Sequence, residues 1–104
     1  MLDQLEFSGD LWVSPGAGGW TFITLPVECA DQIRFLAGGR KAKSWGMIRV
    51  KASMGSSTWR TTIWPDKASG SFLLPVKAAV RNVEKISAGD RVEVNMTVLD
   101  EPGR

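Results

Sequence analysis

The chain of 104 residues contains no histidine and no tyrosine, and it has a single cysteine. Without histidine the usual proton shuttle near neutral pH is missing, and a Ser-His-Asp triad cannot be assembled. Cys29 alone excludes an internal disulfide and a cysteine-based zinc site, and the carboxylates are not clustered at ligand spacing, so neither a metal nor another cofactor is expected. These absences argue against an enzyme. No apolar run approaches the roughly eighteen residues of a membrane span, and Met1-Leu2-Asp3-Gln4 lacks the charged and apolar regions of a signal peptide. A cytoplasmic setting without membrane contact is the expectation, in keeping with the unpaired cysteine. Acids are missing from one region in particular. None lies between Asp31 and Asp66, where Arg34, Arg40, Lys41, Lys43, Arg49, Lys51 and Arg60 form a cationic block in a chain whose net charge is only +2.

The residues present pattern well. An apolar content of 43% can supply one core, so residues 1–104 are expected to form one domain. The clearest stretch runs from Phe72 to Val98. It reads as a strand (Phe72-Leu73-Leu74), Pro75 at a first helical position, a helix to about Ile86, a Gly89-Asp90 turn and a strand alternating at Val92, Val94, Met96 and Val98. On that helix Val76, Ala79, Val80 and Val83 fall at i, i+3, i+4 and i+7, the spacing of a buried face.

Ahead of this stretch, residues 5–13 read as a strand with Leu5, Phe7, Leu11 and Val13 inward, and Gly9 on the same face marks a bend or a close backbone approach. Gly16, Gly18 and Gly19 lack the Lys-Ser/Thr of a phosphate loop and are read as a hairpin connection. A second strand spans residues 20–25, and a helix over 26–37 carries Val27, Ala30, Ile33 and Ala37 inward. Strands over 45–54 and 57–64 meet at Gly55-Ser56, a pair suited to a two-residue turn. That register sets Ala52 opposite Trp59, Val50 opposite Thr61 and Ile48 opposite Ile63 on the core face, with Lys51 opposite Arg60, Arg49 opposite Thr62 and Met47 opposite Trp64 outside.

Leu25-Pro26-Val27 followed by Ala30 returns as Leu74-Pro75-Val76 followed by Ala79, in the same order of elements. Strand, strand, helix, strand therefore occurs twice, over about 5–54 and 57–99. Six strands and two helices so arranged predict a small, mainly β, closed or nearly closed barrel with a pseudo-twofold axis, since closure removes exposed strand edges.

The run Leu74-Pro75-Val76-Lys77-Ala78-Ala79-Val80-Arg81, the segment Ile86-Ser87-Ala88-Gly89-Asp90-Arg91-Val92-Glu93-Val94, and the earlier Gly19-Trp20-Thr21-Phe22 and Leu25-Pro26 resemble the domain-of-unknown-function family numbered 1905. The resemblance covers nearly the whole chain and implies a double-split β-barrel of two strand-strand-helix-strand halves, with no assigned activity. The strand-Pro-helix-Gly-Asp-strand segment is also similar to the half-barrel of AbrB-type regulators, which dimerise and bind DNA. Those regulators carry one half per subunit, whereas this chain carries both, and Gly39-Arg40 stands in its first half where Gly89-Asp90 stands in the second.

Candidate ligand-binding residues follow from charge beside aromatic rings. Trp45, Arg49, Lys51, Arg60 and Trp64 share the outer face of the hairpin, a combination that suits phosphates and stackable rings, although a solvent face is ordinarily charged too. Lys77, Arg81 and Lys85 recur at i, i+4 and i+8, with Glu84 placed to pair with Arg81; Arg81, reaching back toward a barrel mouth, is a candidate anion clamp. Cys29 sits in a first helical turn, where the helix dipole favours a thiolate, but without a histidine partner it reads as a small residue tolerated at a helix start. Three functions fit these residues: a non-enzymatic module for an anionic small molecule, a nucleic-acid-binding regulator acting as a homodimer, and a protein-interaction domain whose tryptophans form the contact.

Overall fold

Eight elements follow one another in the doubled order: β1 (Gln4–Val13), β2 (Thr21–Thr24), α1 (Val27–Gly38), β3 (Ile48–Met54), β4 (Ser57–Asp66), β5 (Ser71–Pro75), α2 (Ala78–Glu84) and β6 (Arg91–Val98). The structure, a computed structural model, describes residues 4–16, 18–38 and 47–99, with the backbone alone at 36–38. Arg40, Lys41, Lys43 and Trp45, and the side chain of Ala37, lie outside the described residues.

The strands close into an antiparallel barrel in the order β1-β2-β5-β4-β3-β6. Exchanging β1 with β4, β2 with β5 and β3 with β6 leaves every neighbour unchanged, which is the expected pseudo-twofold relation. The equivalence extends to register. In β1, Gln4 to Asp10 pair with β6 and Leu11 to Val13 with β2; in β4, Ser57 to Ile63 pair with β3 and Trp64 to Asp66 with β5. Each long strand is thus shared between two neighbours and parts from one to join the other. Gly9 allows this in β1, because a Cβ there would stand 2.6 Å from Ile23 Cγ2, closer than packed carbon atoms approach.

The β3–β4 hairpin has the register read from Gly55-Ser56, with Ala52 opposite Trp59, Lys51 opposite Arg60 and Ile48 opposite Ile63. Gly55 takes φ +59°, the left-handed conformation that such a turn requires. Leu5, Phe7, Leu11, Ile23, Val50, Ile63, Leu74, Val94 and Met96 form the barrel core.

Several apolar positions depart from their expected faces. Val13 ends β1 at 48% exposure, past the last residue that the core covers. On α1, Cys29, Ala30 and Ile33 are buried while Val27, the first helical residue, is 56% exposed; Pro26 occupies the N-cap position, its carbonyl accepting from the N–H groups of Cys29 and Ala30. Pro75 does not open the second helix. It stays in β5 opposite Phe22, and Lys77 becomes the N-cap of α2. Only Val80 is buried on this seven-residue helix; Ala79 is exposed and Val83 is 63% exposed. The helix stops early because Lys85 adopts a left-handed conformation (φ 53°), with Lys85 N–H bonded to Asn82 O and Ile86 N–H to Arg81 O. This Schellman closure removes Lys85 from the helical stripe and turns Ile86 toward the core.

Glu84 also has a different partner from the one expected. Its Oε2 accepts from Ser56 N–H at 3.2 Å, Ser56 Oγ at 3.1 Å and Ser57 Oγ at 2.6 Å, so it ties α2 to the β3–β4 turn rather than neutralising Arg81. The glycine turn makes this approach feasible, since a Cβ on Gly55 would collide with the same carboxylate.

Candidate functional site

The parting of β4 from β5 generates the site. From Ser57 to Ile63, β4 pairs with β3, while β5 ends at Pro75 and the chain turns into α2. A cleft of about 250 Å³ lies at this opening, lined by Gly18, Gly19 and Trp20 ahead of β2 and Thr21 at its start, Trp59, Arg60 and Thr61 from β4, Pro75, Val76 and Lys77 from the β5–α2 junction, and Arg81 from α2. Trp59 and Thr61 oppose the buried Ala52 and Val50 and so face inward, whereas Arg60 faces out at the rim.

Among the described residues, three cations and no carboxylate line the cleft. Arg81 donates its Nε–H to Val76 O at 3.1 Å, which bends the half-buried side chain back from α2 toward the junction. Val76 is itself held by its N–H to Thr21 O at 2.9 Å, so β2, the junction and Arg81 are linked in series. Arg60 and Lys77 are exposed, and their side chains make no hydrogen bond or ion pair to any of the described residues. Like charges gathered without a partner leave a positive potential at the opening, and an anion relieves their repulsion. Deeper in, Trp59 is buried and its Nε1 finds no acceptor among the described residues. A buried donor without a partner is uncommon.

One wall continues into an aromatic cluster on the outer surface of the barrel. Trp20 stacks on Phe22 (centroids 6.1 Å apart, planes 13° apart), Trp64 meets both rings at 5.4 Å, and Trp12 meets Phe22 at 5.4 Å while donating its Nε1–H to Thr24 Oγ1 at 2.9 Å. Phe22 is buried under its neighbours; Trp20 remains half exposed.

Of the residues singled out in the sequence, Arg60 and Arg81 come together at the cleft. Lys51 is exposed opposite Arg60 on the barrel's outer surface, Arg49 lies two residues before it on the same face, and Trp64 belongs to the aromatic cluster rather than to the cleft lining. Trp45 lies outside the described residues. In the sequence, Lys77 reads as part of a basic helical stripe, Trp59 as a core residue opposite Ala52 and Trp20 as a strand start, none of them with a partner in the site. Their meeting depends on the barrel closing. The Gly18-Gly19 pair ahead of Trp20 was the available signal, since both take positive φ (89° and 56°) where the chain turns into β2.

Cys29 is buried and unpaired, and burial, with a smaller contribution from Glu28, pushes its thiol above the ordinary value. The thiol form therefore persists, contrary to the helix-dipole argument for a reactive thiolate. Among the described residues no group of acids, cysteines or histidines is placed to hold a metal ion, and no helix is long and apolar enough to cross a membrane.

In a comparison with protein families, residues 7–96 match the model described as Domain of unknown function (DUF1905). This chain belongs to the DUF1905 family. No curated protein matches it. The matched span takes in most of β1, all of β2 to β5 and most of β6, so every residue lining the cleft lies within the DUF1905 domain. DUF1905 is an uncharacterised domain, so membership carries no activity with it and the cleft is read from its own residues.

Proposed function

We propose that this DUF1905 protein is a non-enzymatic, cytoplasmic binding module that takes a small anionic ligand at the β4–β5 opening. One observation carries the reading: Arg60, Lys77 and Arg81 converge on a cleft that no carboxylate lines among the described residues. Charge-assisted hydrogen bonds from guanidinium groups to an oxyanion are among the stronger polar contacts, and Arg81 is already oriented by its bond to Val76. The lining also contains no imidazole and no thiol, which favours holding a ligand over transforming it. Buried, unpaired Cys29 supports a reducing compartment.

The test compares two lysines that flank Arg60 differently. Lys77 lines the cleft, and Lys51 stands opposite Arg60 on the outer face. With inorganic phosphate as the probe, titrated by tryptophan fluorescence, the double variant R60A/K77A is expected to bind about tenfold or more weakly than wild type. Its unfolding midpoint should barely move, because neither side chain supports the fold. K51A is expected to bind like wild type. Equal losses from K51A and R60A/K77A would move the site to the outer sheet face, and a steep salt dependence seen only with oligonucleotides would favour the nucleic-acid-binding regulator instead.

A further inference from the structure

Trp20 is a large apolar side chain left half exposed, and its orientation is fixed from several sides. Phe22 lies nearly parallel beneath it and Trp64 abuts it at 51°. Gly18 brings its backbone against the indole edge, where a Cβ would stand 3.2 Å from Trp20 Cδ1. Phe22 is in turn held by Trp12, whose own ring is anchored to Thr24. A ring held this way has already lost most of its rotamer freedom, so a second ring laid on it incurs little further ordering cost. Trp20 also lines the cleft that Arg60, Lys77 and Arg81 make cationic. A stacking surface and an anion pocket thus meet in one site.

We infer that the ligand is an aromatic anion: a planar ring that lies on Trp20 and carries an oxyanion, phosphate or carboxylate, seated among Arg60, Lys77 and Arg81. This rests on the anion-binding reading above and adds the ligand class to it. The size is consistent, since a cleft of about 250 Å³ falls just below the roughly 300–1,000 Å³ of pockets for drug-sized ligands and suits one ring with one charged group. The aromatic cluster behind Trp20 also finds a use here. Burying Phe22 requires no more than a cover, whereas a half-open, oriented indole beside three cations presents both chemical halves of an aryl anion's complement.

The experiment is calorimetric titration of the full chain with inorganic phosphate, butyl phosphate and phenyl phosphate. The two organic probes share a charged group and differ in whether the attached carbon is a flat ring. Wild type is expected to prefer phenyl over butyl phosphate by about five- to a hundredfold, the range that stacking on a tryptophan supplies. Trp20→Met, which keeps an apolar side chain of adaptable shape, is expected to bring phenyl phosphate down to the butyl phosphate level, and Trp20→Phe to retain a preference. Equal binding of phenyl and butyl phosphate by wild type would overturn the aromatic class while leaving the anion site standing. A phenyl preference that persists in Trp20→Met would overturn Trp20 as the platform. Failure of all three phosphates to bind would overturn the anion site and this inference together.

Discussion

The two helices occupy equivalent places in the repeat, each following a short strand that ends near a Leu-Pro-Val motif, yet they do different work. Helix α1 has twelve residues, packs against β5 and buries Cys29, Ala30 and Ile33. Helix α2 has seven, packs against β4 and buries Val80 alone. The difference starts at the prolines. Pro26 is the N-cap of α1, whereas Pro75 remains in the β5 ladder and delays α2 until after Lys77. That delay leaves Lys77 and Arg81 at the β4–β5 opening. A repeated fold can thus give its two copies different burial, and the change required is local.

The largest expected effect tests the supporting helix. Ile33 is fully buried, so Ile33→Ala should cost about 2–5 kcal/mol in urea unfolding. Val83→Ala, at the formally apolar face of α2, should stay within about 0.5 kcal/mol. Comparable losses from the two would remove the distinction between the helices.

Next comes the parting of the long strand in the first half. Gly9→Ala forces a Cβ against Ile23 and should destabilise by about 1–3 kcal/mol, read in the same unfolding assay. A neutral outcome would mean that β1 can change partners without a glycine at this approach.

The smallest effect concerns how α2 is tethered. Hydrogen bonds from Ser57 and Ser56 hold the Glu84 carboxyl below its ordinary value. A carboxyl lowered in the folded state stabilises the fold fully above the unfolded-state value and loses that contribution as pH falls through the lowered folded value. The gap in urea midpoint between wild type and Glu84→Gln should therefore be widest near neutrality and close on acidification. A gap independent of pH would show that the ionised form of Glu84 adds nothing beyond its shape.

Much of the barrel was legible in the sequence. The doubled element order, the Gly55-Ser56 register and the alternation in β6 are local signals, each set by turn geometry or by the two-residue period of a strand. Exposed Val27 and Val83 were not legible, because periodicity identifies an apolar face without saying how much of it a neighbouring element covers. Half of the site was legible as well. Arg60 and Arg81 stood out by charge, while Trp20, Trp59 and Lys77 looked like ordinary strand, core and surface residues.

By itself the sequence determined which segments are strands and helices, where the hairpin turns, and that the chain repeats its own architecture, since these depend on neighbours a few residues apart. Only the tertiary structure decided that segments around Trp20, Arg60 and Arg81 share one cleft. Closing the barrel joins β2 to β5 and β5 to β4, and no local interaction encodes the distance between side chains that lie on three different strands and a helix.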